Sequence, residues 1–330
     1  MNTFGNTFRF TSFGESHGVA MGGVIDGCPA GLVIDYALID RDLARRRGAD
    51  GTLTTARCEA DKIEWLSGIK DGIALGTPIS FIIRNGDVHS EDYDALSDCY
   101  RAGHADYTYQ KRYGIRDHRG GGRASGRETV ARVVAGAIAK MVLAQHSVSV
   151  SATAQTLPPS EMEEEETYGG RVECVVTGLP AGVGNPIFGR LNAMLAYAMM
   201  SIPSAIGFEM GIGSKAMAMT GREYADAWHF DDAGNAVKEQ ITETNHCGGV
   251  QGGISNGMPV VFSVMFHPVV TQMGENCCLG ADGKARDVVI GGRHDRCHVM
   301  RLPVVVEAMA ALVVADLLCG RPTVCFEEEK

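Results

Sequence analysis

The sequence predicts a layered α+β fold with antiparallel sheets and buried helices. Three observations carry this. Short β-like runs, Gly22–Asp26, Ile79–Arg84, Val172–Val176 and Val260–Phe266, are often bounded by glycine. Helix and strand signals mix without a strict βαβ rhythm, which argues against a doubly wound parallel sheet. The helical stretch from Pro303 to Gly320 is apolar almost all round, so other layers must cover it.

The elements follow in order. Asp35 can cap a helix that runs to Arg47 and is ended by Gly48. Ser125 or Gly126 opens a second, through Arg132, Val134, Ala137 and Ile138 to about His146. Asn185-Pro186 reads as a cap followed by proline at the first helical position, leading into Phe188, Leu191, Leu195 and Met199. Pro303 opens the last helix. The acidic run Glu161–Glu166, near Pro158-Pro159, is the expected surface excursion. No low-complexity linker or fixed-period repeat divides the chain, so residues 1–330 are expected to form one domain.

Composition narrows the function. A chain of 330 residues, 45% hydrophobic, can bury a large core. A net charge of −10 disfavours whole-molecule attraction to nucleic acid or to an anionic membrane, and neither partner is expected. The 22 Arg outnumber the 8 Lys, and they cluster: four between Arg41 and Arg47, seven between Arg101 and Arg132. Local arginine on an acidic chain points to a pocket for small anions, since the guanidinium fork matches carboxylate and phosphate oxygens. A codon preference for arginine is the alternative. The ten Cys form no CxxC, and residues 1–20 do not resemble a signal peptide, so reduced thiols in a cytoplasmic protein are expected. The longest apolar stretches carry Glu307 or Asp316, so no membrane span is predicted.

Six segments can carry chemistry. In Gly14-Glu15-Ser16-His17-Gly18 the glycines allow close approach, and His17 can donate a proton near neutral pH. The same residues fit G-x-S-x-G, but that pattern needs a strand–turn–helix elbow. Arg45-Arg46-Arg47 at a helix end exceeds what the helix dipole asks for, so one or two of them should face an anion. Arg101-Ala102-Gly103-His104-Ala105-Asp106 sets a histidine between small residues, with Asp106 placed to orient it. Gly120–Glu128 is a glycine-rich loop entering a helix; its free N–H groups, Arg123 and Arg127 suit an anion, although it is neither a Walker loop nor a dinucleotide fingerprint. Asn245–Gly257 suggests close backbone approach to a planar group. Gly291–His298 sets Asp295 between arginine and histidine ahead of the buried helix.

Gly14–Gly18, Gly103–Asp106, Gly121–Glu128, Asn245–Gly257 and Gly292–Cys297 occur in that order, and together they make the chain resemble chorismate synthases from near residue 5 to near residue 320. The resemblance implies a β-α-β sandwich assembled as a homotetramer, and the last step of the shikimate pathway. There, phosphate and a ring proton leave 5-enolpyruvylshikimate-3-phosphate by 1,4-anti elimination. Reduced FMN is required without net redox, with NADPH a candidate external reductant. By position, His17 resembles the acid assisting phosphate departure, His104 the residue managing protonation at the flavin, and Asp295 the partner in deprotonating the substrate. Ser16, Arg47, Arg101, Arg127 and Arg293 resemble the substrate clamp. Arg46, Arg123, Ala124, Ser125, Pro203, Ser204, Gly248, Gly253, His267, Thr271 and Arg293 resemble flavin contacts.

The sequence also departs from the family pattern. A stretch that commonly begins Lys-Pro-Thr reads His267-Pro268-Val269-Val270-Thr271, and the proline usual after Asp295 is Arg296. An active lyase is therefore weighed against a divergent paralogue that keeps the fold and an anion or flavin site. A serine hydrolase using Ser16 and a nicotinamide oxidoreductase are the remaining classes. The first needs an elbow around Ser16, and the second needs a fingerprint the chain lacks.

Overall fold

The computed structural model describes all residues except 48–59, 87–89, 157–160, 162, 164–165, 238–239, 272–273, 291–295 and 321–330. Gly48 as a helix stop, Pro158-Pro159, Arg293 and Asp295 therefore lie outside the described residues.

Alternating apolar positions in the first quarter of the chain build an antiparallel sheet. Strands β1 (Thr3–Phe4), β2 (Arg9–Gly14), β3 (Ala20–Asp26), β4 (Ile63–Ser67) and β7 (Ile79–Arg84) pair in the order β1-β2-β3-β7-β4. Phe10 lies opposite Ile25, and Ile25 opposite Ile79, so one face carries buried Phe10, Met21, Ile25, Ile79, Phe81 and Ile83. Gly23 is needed on that face, because a Cβ there would fall 2.5 Å from the Phe10 ring.

The second sheet is also antiparallel: β9 (Ser149–Gln155), β10 (Gly170–Thr177), β11 (Ala205–Met210) and β14 (Val260–Phe266), in the order β11-β14-β10-β9. Val172 faces Val264, and Cys174 faces Phe262. Smaller pairings join β5 (Ile69–Lys70) with β6 (Ile73–Ala74), and β12 (Val250–Gln251) with β13 (Ile254–Ser255). A ribbon joins β8 (Cys99–Tyr100), β15 (Gly274–Gly280) and β16 (Ala285–Ile290).

Between the two large sheets lie α1 (Tyr36–Arg47), α3 (Thr129–Ala144), α4 (Leu191–Met200) and α6 (Pro303–Cys319). Helix α3 packs on β3 and on α6, while α6 packs on β9 and β10. Gly136 sets how closely α3 and α6 approach: a Cβ there would fall 2.3 Å from the Ala308 Cβ. The expected layering of sheet, buried helices and sheet is what forms. Helices α2 (Asp106–Tyr113) and α5 (Gly221–Tyr224) lie in the connections.

Asp35 does cap α1, accepting the Leu38 N–H at 3.0 Å. One boundary differs from expectation. Asn185-Pro186 does not open α4. The Asn185 N–H donates instead to the Gly189 carbonyl at 3.0 Å, closing a loop. The helix begins at Leu191, whose N–H donates to the Gly253 carbonyl at 2.8 Å. Tertiary satisfaction of an orphan helix donor outweighs the local cap signal.

Both acidic residues of the apolar last helix are buried and used. Asp316 Oδ1 accepts the N–H groups of Asn6, Thr7 and Phe8 at 2.8, 2.6 and 2.9 Å, fixing the chain's entry into β2. Glu307 accepts from Arg45, Lys140 and the Ala152 N–H. No helix among the described residues is long and apolar enough to cross a membrane.

Candidate active site

One cleft of about 1360 Å³ collects most of the sequence-predicted chemistry. Arg46 and Arg47 enter it from the end of α1, Arg101 and Arg116 from either side of α2, and Arg301 from just before α6. The glycine-rich segment and α3 contribute Arg123, Arg127 and Arg132. Among the described residues, only Glu15, Asp106 and Asp117 oppose these eight arginines as carboxylates of the wall. A strongly cationic hollow in a chain of net charge −10 is a site for a small, multiply charged anion.

His17 reaches the cleft from the loop between β2 and β3. Gly14 ends β2 at φ +96°, where a Cβ would strike the Ala20 carbonyl, so the chain can reverse there. Asn85 Nδ2 donates to the carbonyls of Glu15 and Gly18 at 3.0 and 2.8 Å and holds the loop. The His17 ring stands edge-on to Tyr93, with centroids 4.9 Å apart. Gly120, at φ +67°, lets the backbone pass under it, because a Cβ there would lie 2.3 Å from His17 Nδ1.

Ser16 is fully buried behind His17, its Oγ 3.0 Å from Nδ1, and does not line the cleft. Its hydroxyl is a contact of the histidine in this structure. The strand–loop–strand setting also removes the nucleophile-elbow reading, which requires an exposed serine at a strand-to-helix turn.

Three buried carboxylates underlie six of the arginines. Asp61 accepts Arg46 Nη2 at 2.7 Å and is also bonded by Arg127 Nη1. Asp106 takes Arg101 in a two-pronged pair at 2.9 and 3.0 Å, with Arg116 3.9 Å away. Glu128 accepts Ser12 Oγ at 2.7 Å and Arg132 Nε at 2.6 Å, with Arg123 at 3.7 Å. Burial pushes the Asp106 carboxyl up, but Arg101 and Arg116 outweigh it and hold it below the usual carboxylate range. Asp106 therefore orients Arg101 and not His104, which corrects the sequence reading.

Among the described residues, two other groups hold His104. Its Nδ1 lies 2.9 Å from the Ala102 carbonyl, which can only accept, so Nδ1 carries the proton. Its Nε2 lies 2.5 Å from Thr271 Oγ1. Val270 packs on Gly103, where a Cβ would sit 3.1 Å from the valine Cβ. His267 turns Nδ1 toward the Pro268 carbonyl at 2.6 Å. Across the same wall Ser204, at φ +69°, places Oγ 2.6 Å from His298 Nε2.

The glycine-rich segment is fastened to β2 by Arg123, which donates to the Gly14 carbonyl at 3.1 Å and to Ser12 Oγ at 2.5 Å. Ser125 caps the following turn, its Oγ accepting the Arg127 N–H at 3.2 Å, as the sequence suggested. Arg45 points away, into the pair with Glu307, so two of the three consecutive arginines face the cleft.

A family model described as chorismate synthase matches residues 8–161 and 159–319. The chain belongs to the chorismate synthase family. It is 43% identical to the chorismate synthase of Azobacteroides pseudotrichonymphae, over 96% of this chain and 98% of that protein. It is 44% identical to that of Bacteroides thetaiotaomicron, over 96% and 97% of the two chains. A crystal structure of chorismate synthase superposes with a TM-score of 0.69 at 26% identity, covering 96% of this chain and 92% of that one. The chain is accordingly an enzyme, a lyase of aromatic amino-acid biosynthesis.

Of the residues expected from resemblance to chorismate synthases, His17, His104, Arg46, Arg47, Arg101, Arg123, Ala124, Ser125, Arg127, Pro203, Ser204, His267 and Thr271 share the cleft. Gly248 and Gly253 do not line it. Gly248 (φ +68°) packs on the Gly211 backbone, and Gly253 (φ +93°) packs on Arg190 beside the start of α4. Tyr93, Arg116, Arg132, His298 and Arg301 are cleft residues that motif reading did not single out. The only signal for two of them was the arginine density between Arg101 and Arg132.

Proposed function

We propose that this cleft eliminates phosphate from 5-enolpyruvylshikimate-3-phosphate to give chorismate, with residues 1–330 working as one domain. The observation that carries the reading is the ring of eight arginines around one cleft that also holds His17 and His104. A trianionic substrate together with a phosphate-bearing cofactor would account for that excess of charge.

The residues present fit reduced FMN. Apolar Ile202, Pro203, Val269 and Leu302 offer a wall for a flat ring system, and the buried Arg46 Nε has no hydrogen-bond partner among the described residues. Arg46, Arg123, Ala124, Ser125, Pro203, Ser204, His267 and Thr271 would hold it, with Arg293 outside the described residues. Reduced FMN, when bound, lends electron density to C–O cleavage and regains it. NADPH or another external donor would keep it reduced.

In this reading His17 donates a proton to the departing phosphate. Arg47, Arg101 and Arg127 clamp the substrate's oxyanions, a preorganised stabilisation of charge that grows in the transition state. His104 holds a proton at the flavin side, and Asp295 takes part in removing the ring proton. A cytoplasmic homotetramer with no nucleic-acid or membrane partner completes the proposal.

The test is anaerobic turnover of the substrate with photoreduced FMN, followed by chorismate absorbance. Sustained turnover is expected; flavin binding without turnover would favour the divergent paralogue. Thr271→Val is expected to lower kcat about 3–10-fold, the value of one hydrogen bond to His104, with Thr271→Ser restoring most of it. Equal losses in both variants would dissociate Thr271 from His104.

A further inference from the structure

Building on the reading of Arg46 as a cofactor contact and Arg127 as a substrate contact, we infer that Asp61 is the positioning residue beneath both: it sets the two guanidinium groups and touches no ligand itself. Asp61 is buried and held at φ +49°, a conformation that non-glycine residues rarely adopt. That backbone turn aims one carboxylate oxygen at each arginine, Oδ2 at Arg46 Nη2 (2.7 Å) and Oδ1 at Arg127 Nη1. Asn85 Oδ1 accepts Arg127 Nε at 3.0 Å and fixes the plane of that group. The Asn85 amide also carries the His17 loop, so clamp and proton donor share one support.

Like charges crowd this spot. Arg46 senses Arg127 and Arg301 as like charges, and the carboxylate of Asp61 offsets them. Burial pushes the Asp61 carboxyl up, but Arg46 and Arg127 outweigh it and keep it ionised. A charged Asp61 therefore holds both arginines in place before any ligand arrives, which is what preorganisation requires.

The isostere Asp61→Asn separates positioning from simple support. An amide can still accept from Arg127, but its N–H₂ opposes Arg46. The net charge of the spot rises by one. Inorganic phosphate should then compete with the substrate as well as or better than in the parent, while kcat falls about tenfold or more. A merely structural residue would lose phosphate affinity, turnover and melting temperature together, and that result would overturn the proposal.

Phosphate competition in both proteins with kcat within twofold of the parent would remove the proposal alone. Absence of phosphate competition in the parent would remove the clamp reading, and the proposal with it. Should Asp61→Asn fold poorly, the cycle with Arg46→Gln decides. The kcat ratio of Asp61→Glu to parent should shrink toward one in the Arg46→Gln background if Asp61 acts through Arg46. An unchanged ratio would overturn the proposal.

Discussion

His17→Ala is expected to cut turnover about 10²–10⁴-fold while the substrate KM moves by less than about threefold. The ring lines the cleft but is not part of the arginine wall, so its loss removes little ground-state binding. Its contribution would come when the C–O bond breaks and negative charge gathers on the leaving phosphate. Ser16 Oγ, the Tyr93 edge and the Gly120 backbone together fix the ring's plane. A general acid so confined needs no search for its proton-transfer geometry. Equal turnover in the variant would remove His17 from the chemistry and leave it a loop residue. A KM rise that accounts for the whole loss would reassign it to binding.

Much of the fold was legible because its signals are local. The valine- and isoleucine-rich runs became β7, β10 and β14, and the continuous apolar stretch after Pro303 became a helix covered on all sides. Local signals failed where a distant partner decided the outcome. Asn185-Pro186 carries a good cap pattern, yet Gly253, far along the chain, supplies the acceptor that sets the helix start at Leu191.

The site divides the same way. His17, His104 and Arg127 stand in glycine-rich surroundings that announce close approach. Asp61 and Arg301 stand in ordinary surroundings and gain meaning only from what the fold lays against them. The glycines at 248 and 253 show the converse: a conspicuous pattern whose close approaches are to the chain's own backbone and to Arg190. At Ser16 the motif was legible in place, and the fold adds the partner of its hydroxyl. Beside His17 it had an evident chemistry, but burial gives its hydroxyl to the histidine.

Glu307→Ala is expected to cost about 3 kcal/mol of stability and to change the acid side of the unfolding profile. Glu307 ties α6 to α1 through Arg45 (2.7 Å), to α3 through Lys140 (2.6 Å), and to β9 through the Ala152 N–H (3.0 Å). Asp42 completes the cluster by accepting Lys140 Nζ at 2.7 Å. Removing Glu307 leaves Lys140 with Asp42, and the Arg45 side chain, 40% exposed, can turn to water. That escape places the cost at the low end of what breaking a buried pair brings.

Burial pushes the Glu307 carboxyl up, but the Arg45 hydrogen bond and the Lys140 charge outweigh it and hold it below its ordinary range. For a group depressed on folding, the stabilisation is complete above the unfolded value, near pH 4, and is lost as pH falls through the lower folded value. Thermal unfolding followed from pH 7 to pH 3 should therefore fall steeply below about pH 4 in the parent, and less steeply in Glu307→Gln, which keeps the shape without the charge. Parallel profiles for the two proteins would show that other carboxylates, Asp61 and Asp106 among them, carry the acid sensitivity instead.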